Sequence, residues 1–220
     1  MGASNSAAPA RAARARAERL AHPDAFPTTA GVALPLGVAL QAIGQDTSDT
    51  KYDEYSVVID AMPLGLTAEQ FLAEMAIDLN GAVSDDSFNA INEFRRRPPA
   101  QTTPAVGDIY DFNTAGPINR SVALIASGPS EFTFQTVTTS GMEEHPESGT
   151  RSFGFEVLSD GAIRFYTRGR SHLGRCTIRL AVAGAQNAAW TRLCHGISDS
   201  IAARGGAPRV GSFEMWIAHR

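Results

Sequence analysis

The 220-residue sequence reads as an α+β domain, and three observations support that. Six segments between 107 and 184 alternate apolar and polar residues with period two. Two segments of helical period precede them, at 67–80 and from about 84 to 97. A third helical segment carries one apolar stripe: Trp190, Leu193, Cys194, Ile197 and Ile201 fall at i, i+3, i+4, i+7 and i+11.

The first strand is "YSVVIDAM" (55–62), with Tyr55, Val57 and Ile59 on one face. The helix after it has clear ends. Thr67 and Gln70 form a capping box, Leu66 and Phe71 stand at staple positions, and Asn80-Gly81 supplies a stop. In the second helix Phe88, Ile91 and Phe94 are apolar. Asp85 and Asp86 at its start and Arg95, Arg96 and Arg97 at its end suit the helix dipole, and Pro98-Pro99 terminates it. The period-two segments are 107–113, 121–127, 131–139, 151–158, 162–170 and 175–184. "SDG" at 159–161 is a hairpin signal, because Asp-Gly accepts positive φ. The stripe from Trp190 to Ile201 is the C-terminal helix, ended by Gly205-Gly206. "VGSFEMWIAH" then alternates as one more strand. The expected total is about seven strands, two short helices after the first, a long C-terminal helix and an extra C-terminal strand.

Composition sets outer bounds. Hydrophobic residues make up 43% and charged residues 19%, as in globular proteins. The net charge of −4 gives no footprint for nucleic acid. Lys51 is the only lysine; the other basic residues are arginines. Two cysteines, Cys176 and Cys194, are too few for a secreted disulfide scaffold and fall at apolar positions. No run reaches the ~18 apolar residues of a membrane span. Residues 1–50 read as a flexible Ala/Arg-rich leader and 51–220 as a single domain. The expected location is the cytoplasm.

Strand, helix, helix, six strands and helix is an order that resembles the helix-grip superfamily, the START and Bet v 1-like proteins. The resemblance covers roughly 51–206 and rests on element order alone. It implies a curved antiparallel sheet wrapped around the C-terminal helix, with a cavity between them for an apolar ligand such as a lipid or polyketide. Some members of that superfamily catalyse cyclisation or hydrolysis there.

The strand parity supplies the lining. Phe132, Phe134, Thr136 and Thr138 share one face, as do Arg151, Phe153 and Phe155, and as do Phe165 and Thr167. Aromatic walls with a few polar groups suit a small-molecule pocket, and the same pattern also suits a filled core. For an enzyme on this scaffold, a metal-independent cyclase, dehydratase or hydrolase, His145 or Asp111 is the candidate acid or base and Arg151 the anion stabiliser. A third reading uses the Arg-rich leader and the face carrying Arg164, Arg168 and Arg170 to engage an acidic partner; the plainer reading of that face is solvated.

Glu143, Glu144, His145 and Glu147 crowd a turn at Pro146, which is not ligand spacing for a metal. Cys194-His195 cannot form a dyad, since adjacent helical residues diverge by about 100°. No P-loop, Rossmann, zinc or G-x-S-x-G motif is present, so the expected cofactor and metal are none. The expected partner is a hydrophobic small-molecule ligand, with no nucleic acid and no transmembrane segment.

Overall fold

A computed structural model describes residues 31–41, 50–83, 92–98, 103–114, 118–140, 147–173 and 179–219. The fold is α+β, a large curved antiparallel sheet with a C-terminal helix packed on it.

The strands in chain order are β1 (Val38–Leu40), β2 (Thr50–Ala61), β3 (Asn92–Arg96), β4 (Ile109–Thr114), β5 (Ile118–Ser127), β6 (Glu131–Thr139), β7 (Glu147–Val157), β8 (Ile163–Leu173), β9 (Ala207–Pro208) and β10 (Glu214–His219). The helices are α1 (Ala68–Ile77), α2 (Leu79–Ala82) and α3 (Arg179–Ala203). The main path across the sheet is β10-β2-β8-β7-β6-β5-β4-β3, with β1 on β6 and β9 on β2. From β3 to β8 the strands follow as a meander, and β2 returns to close on β8 over ten register pairs from Thr50↔His172 to Ile59↔Ile163.

Several local expectations hold. Thr67 caps α1: its hydroxyl accepts from Gln70 N at 3.2 Å, and the Gln70 side chain accepts from Thr67 N at 2.8 Å. Gly161 has φ +84° in the β7–β8 hairpin, the left-handed geometry that Asp-Gly permits. The strand read at the C-terminus is β10, antiparallel to β2. Cys194 is buried and His195 exposed, as the helical divergence requires.

Three expectations are corrected. Arg95, Arg96 and Phe94 lie on a strand, β3, rather than at a helix end. Phe94 stands opposite Phe112 and stacks on it at 5.1 Å and 18°, a partner the local sequence does not reveal. Its N–H donates to Asn80 Oδ1 at 2.7 Å. A short α2, begun by Asp78, follows α1, so Asn80-Gly81 lies inside a helical turn rather than ending α1; residues 84–91, the body of the expected second helix, lie outside the described residues. Finally, the segment 175–184 is no strand where it is described, because α3 already runs from Arg179. Its Ala-rich continuation favours helix, and short alternating runs fit either period.

The segment 31–41, within the stretch read as a leader, covers part of the convex face. Val32, Leu34, Val38 and Leu40 pack on Ile109, Ala123, Ile125 and Val137. The arginine face of β8 is also not a solvated one. Arg164 is 4% exposed and joins Glu54 at 2.5 Å and Glu156 at 2.7 Å, while Arg168 bonds Glu131. Burial works against the Arg164 cation, but its two carboxylate partners outweigh that and hold its pKa above the ordinary value.

Candidate functional site: an aromatic pocket with a fixed arginine

Antiparallel register turns strand parity into rows that run across the concave face. One row is Tyr55, Thr167, Phe153 and Phe132. The next is Asp53, Gly169, Arg151 and Phe134. These rows meet α3, whose Trp190, Leu193, Cys194, Ile197 and Ile201 are all buried.

The second row depends on what Gly169 lacks. A Cβ there would stand 2.8 Å from Arg151 Cζ and 3.0 Å from Asp53 Oδ1. Without it, the Arg151 side chain lies across β8 and donates from Nη2 to Asp53 Oδ1 at 2.5 Å. Nη1 donates to Thr167 Oγ1 at 3.3 Å, and the guanidinium carbon sits 4.2 Å from the Trp190 ring centre. Stacking on one side and a carboxylate at the end fix the guanidinium in one orientation. Lys51 Nζ approaches the other Asp53 oxygen at 3.0 Å and donates to Asn187 Oδ1 at 3.1 Å; Tyr55 Oη donates to the same Asn187 oxygen at 2.7 Å. Lys51 and Asp53 are 2% and 1% exposed, so this cluster is a buried one.

Beside Arg151 lies a cavity of about 70 Å³ between the sheet and the N-terminal half of α3. That is several times the ~10–15 Å³ one water needs. Its apolar wall is Phe94, Phe112, Val122, Phe134, Phe153 and Trp190. Thr136, Arg151, Ser171 and Gln186 bring polar side chains to the same lining. Half-buried Phe94 and Phe112 give it an outer edge, while Phe134 and Phe153 are fully buried. Thr136 holds a gap in the ladder. The β6–β7 pairing ends at Gln135↔Thr150, and beyond it Gly149 N donates to Thr136 Oγ1 at 3.0 Å. From Val137 onward β6 pairs with β1 instead.

Among the residues singled out from sequence, Phe134, Thr136, Arg151 and Phe153 border this cavity. Phe132 stands behind it, stacked on Phe153 at 5.1 Å and 19°. Phe155 and Phe165 pack together in the core at 5.9 Å. Thr167 serves as the acceptor for Arg151 and donates to Ser152 O at 3.2 Å. Thr138 lies at the edge of β6 and donates to Ala39 O at 3.3 Å. Asp111 is held by Arg97 at 2.7 Å and accepts from Ser121 Oγ, also at 2.7 Å, and is not part of the cavity lining. His145 and Cys176 lie outside the described residues.

Sequence reasoning missed Lys51, Asp53, Gly169, Phe94 and Phe112. For the first two a signal existed. Lys51 and Asp53 continue the face of Tyr55, Val57 and Ile59 by two strand steps, which puts charges on an inward face.

Two groups near the site are held neutral. Burial pushes the Cys194 thiol well up, against a smaller downward pull from Arg151. Burial also pushes the Tyr110 phenol up to about 12; its hydroxyl donates to Ala76 O at 2.8 Å and ties β4 to α1. Among the described residues no group of three His, Cys, Asp or Glu side chains is placed to hold a metal ion. No helix among them is long and apolar enough to cross a membrane.

A sheet curved around a C-terminal helix, with a cavity between the two, is the arrangement that the helix-grip superfamily shares, and the chain resembles that superfamily in its element order. No family model and no curated protein matches the chain. Similar solved structures exist. A hypothetical protein from Helicobacter pylori is 10% identical, covering 71% of this chain and 96% of that one at a TM-score of 0.46. Ginseng major latex-like protein 151 from Panax ginseng is 12% identical, covering 68% and 99% at a TM-score of 0.42. A point mutant of norcoclaurine synthase from Thalictrum flavum, solved with a transition-state analogue, is 11% identical, covering 70% and 95% at a TM-score of 0.45.

Proposed function

We propose that this protein binds a hydrophobic small molecule in the cavity between the sheet and α3. The observation that carries the reading is the composition of that cavity. Five aromatic rings and a valine form its wall, and a few polar side chains converge on it. Such a lining suits an apolar body while polar groups set its orientation. The rings also meet one another, Phe94 with Phe112 and Phe153 with Phe134 and Trp190, and a cavity of about 70 Å³ remains beside them.

The test uses cinnamyl alcohol, a neutral single-ring probe, titrated into the full chain by calorimetry and by ligand-observed NMR. The expected result is saturable 1:1 binding that Val122→Phe abolishes, because the larger side chain occupies the cavity. Native mass spectrometry of the freshly purified chain is expected to show a retained small-molecule mass as well. Absence of saturable binding to the wild-type chain, with no retained mass, overturns the reading.

A further inference from the structure

We infer that the ligand carries a single negative charge, a carboxylate above all, and that Arg151 receives it. The inference rests on the binding role proposed for this cavity and adds the chemical class of its occupant.

The charge count carries the argument. Lys51, Asp53 and Arg151 form one cluster on the concave face, with Lys51 and Asp53 buried and Arg151 half-buried beside the cavity. Two cations share one carboxylate, and no other described acidic group joins them. Glu54, the next residue along β2, points to the convex face and pairs with Arg164. Cys194, the titratable group behind the cluster, is held in its neutral form by burial. The cluster therefore holds one positive charge more than it neutralises. Buried charge is costly unless paired, and an anion entering the adjoining cavity would pair it.

Geometry assigns the excess to Arg151 rather than Lys51. Arg151 borders the cavity and Lys51 does not. A guanidinium has five N–H donors. Within the described residues Arg151 commits one to Asp53 and one to Thr167, which leaves three. Its planar fork matches a carboxylate. Asp53, the Trp190 ring and the notch at Gly169 already hold it in place, so little side-chain entropy remains to be lost on binding. Ser171, on the same lining, brings a further hydroxyl to the cavity, while the Thr136 hydroxyl is engaged with Gly149. The rings of Phe94, Phe112, Phe134 and Phe153 then take the apolar body.

The experiment compares three probes with one carbon skeleton and different heads: trans-cinnamate, cinnamyl alcohol and cinnamylamine. Each is titrated calorimetrically into the full chain at neutral pH and low salt. The carboxylate is expected to bind about tenfold more tightly than the alcohol, the usual size of one charge-assisted hydrogen-bonded contact. The amine is expected to bind more weakly than the alcohol. Raising the salt should narrow the carboxylate's advantage, and Arg151→Gln should bring the carboxylate-to-alcohol ratio to within about twofold of one. Equal binding of all three heads, or preference for the amine, overturns the inference and leaves the binding role standing. Binding of none of them overturns both. Should Arg151→Gln not fold, the order of the three probes on the wild-type chain decides by itself.

Discussion

The concave face of the sheet has two halves, and α3 crosses both with different results. Under Leu193–Ile201 the core is closed. Phe71 and Leu72 of α1 are 0% and 2% exposed there, and Phe71 meets Phe165 edge-on at 5.5 Å. Large side chains come from three layers: α1, α3 and the sheet. Under Gln186–Trp190 the rings come mainly from the sheet. From Gln186 to Ala189 α3 presents nothing larger than Gln186, and α1 does not contribute to the lining. Where every layer supplies bulk the space closes; where the helix supplies little, a cavity persists. The difference is therefore one of side-chain volume along a single helix, not of backbone shape.

Removing bulk from each half tests this most directly. Phe71→Ala should cost about 3–5 kcal/mol of stability, since a fully buried ring leaves a cavity its neighbours cannot fill. Phe112→Ala, at the half-buried edge of the pocket, should cost roughly 1 kcal/mol, near the centre of the range for single substitutions. Urea unfolding midpoints measure both. Equal losses would break the distinction between a closed half and an open one.

Between the halves sits the charged row, and Asp53→Ala probes it. The substitution leaves buried Lys51 and half-buried Arg151 without their shared carboxylate. Removing one partner of a buried ion pair costs about 3–5 kcal/mol, so this loss should rival that of Phe71→Ala. A loss below about 1 kcal/mol would mean that water reaches the cluster and screens it.

The two halves also differ in how far they could be read from sequence. The closed half follows from periodicity: Trp190 to Ile201 forms a helical stripe and Phe71 to Leu79 another, and both are buried. The sheet side of the pocket was equally legible, because parity alone puts Phe134 with Thr136 and Arg151 with Phe153. Three things were not. Phe94 takes its conformation from Phe112 across a strand pair, a contact 18 residues away that outweighs local helical spacing. Lys51 and Asp53 break the apolar alternation of β2, so the strand reads as starting at Tyr55 although it begins at Thr50. Gly169 looks like a weak point in a strand, and only the register shows that Arg151 crosses over it.

Gly169→Ala sharpens that last point. A Cβ would intrude on the guanidinium and on Asp53 Oδ1, so Arg151 must shift from its place over the Trp190 ring. In a strand interior alanine is favoured over glycine by roughly 0.5–1 kcal/mol, and the steric conflict exceeds that gain. The net expectation is a loss of about 1–3 kcal/mol in urea unfolding, the usual range for overpacking. A stabilised variant would show that the arginine has room to move and that its orientation is not fixed by this notch.

The smallest effect is expected at Cys194, one helical turn beyond Trp190 and on the boundary of the two halves. It is 1% exposed, and burial raises its thiol pKa, so at pH 8 almost none of it is the reactive thiolate. The Arg151 cation works in the opposite direction but is the lesser influence. Iodoacetamide at pH 8 should leave Cys194 unmodified in the folded chain over hours and modify it fully in denaturant. Trypsin cuts at Arg179 and Arg192, so mass spectrometry reads this cysteine separately from Cys176. Slow reaction that rises with pH and is suppressed by a pocket ligand would place Cys194 on the open side and extend the cavity past Trp190. No reaction keeps the boundary at that ring, with the space available to a ligand confined to the sheet side of α3's first half.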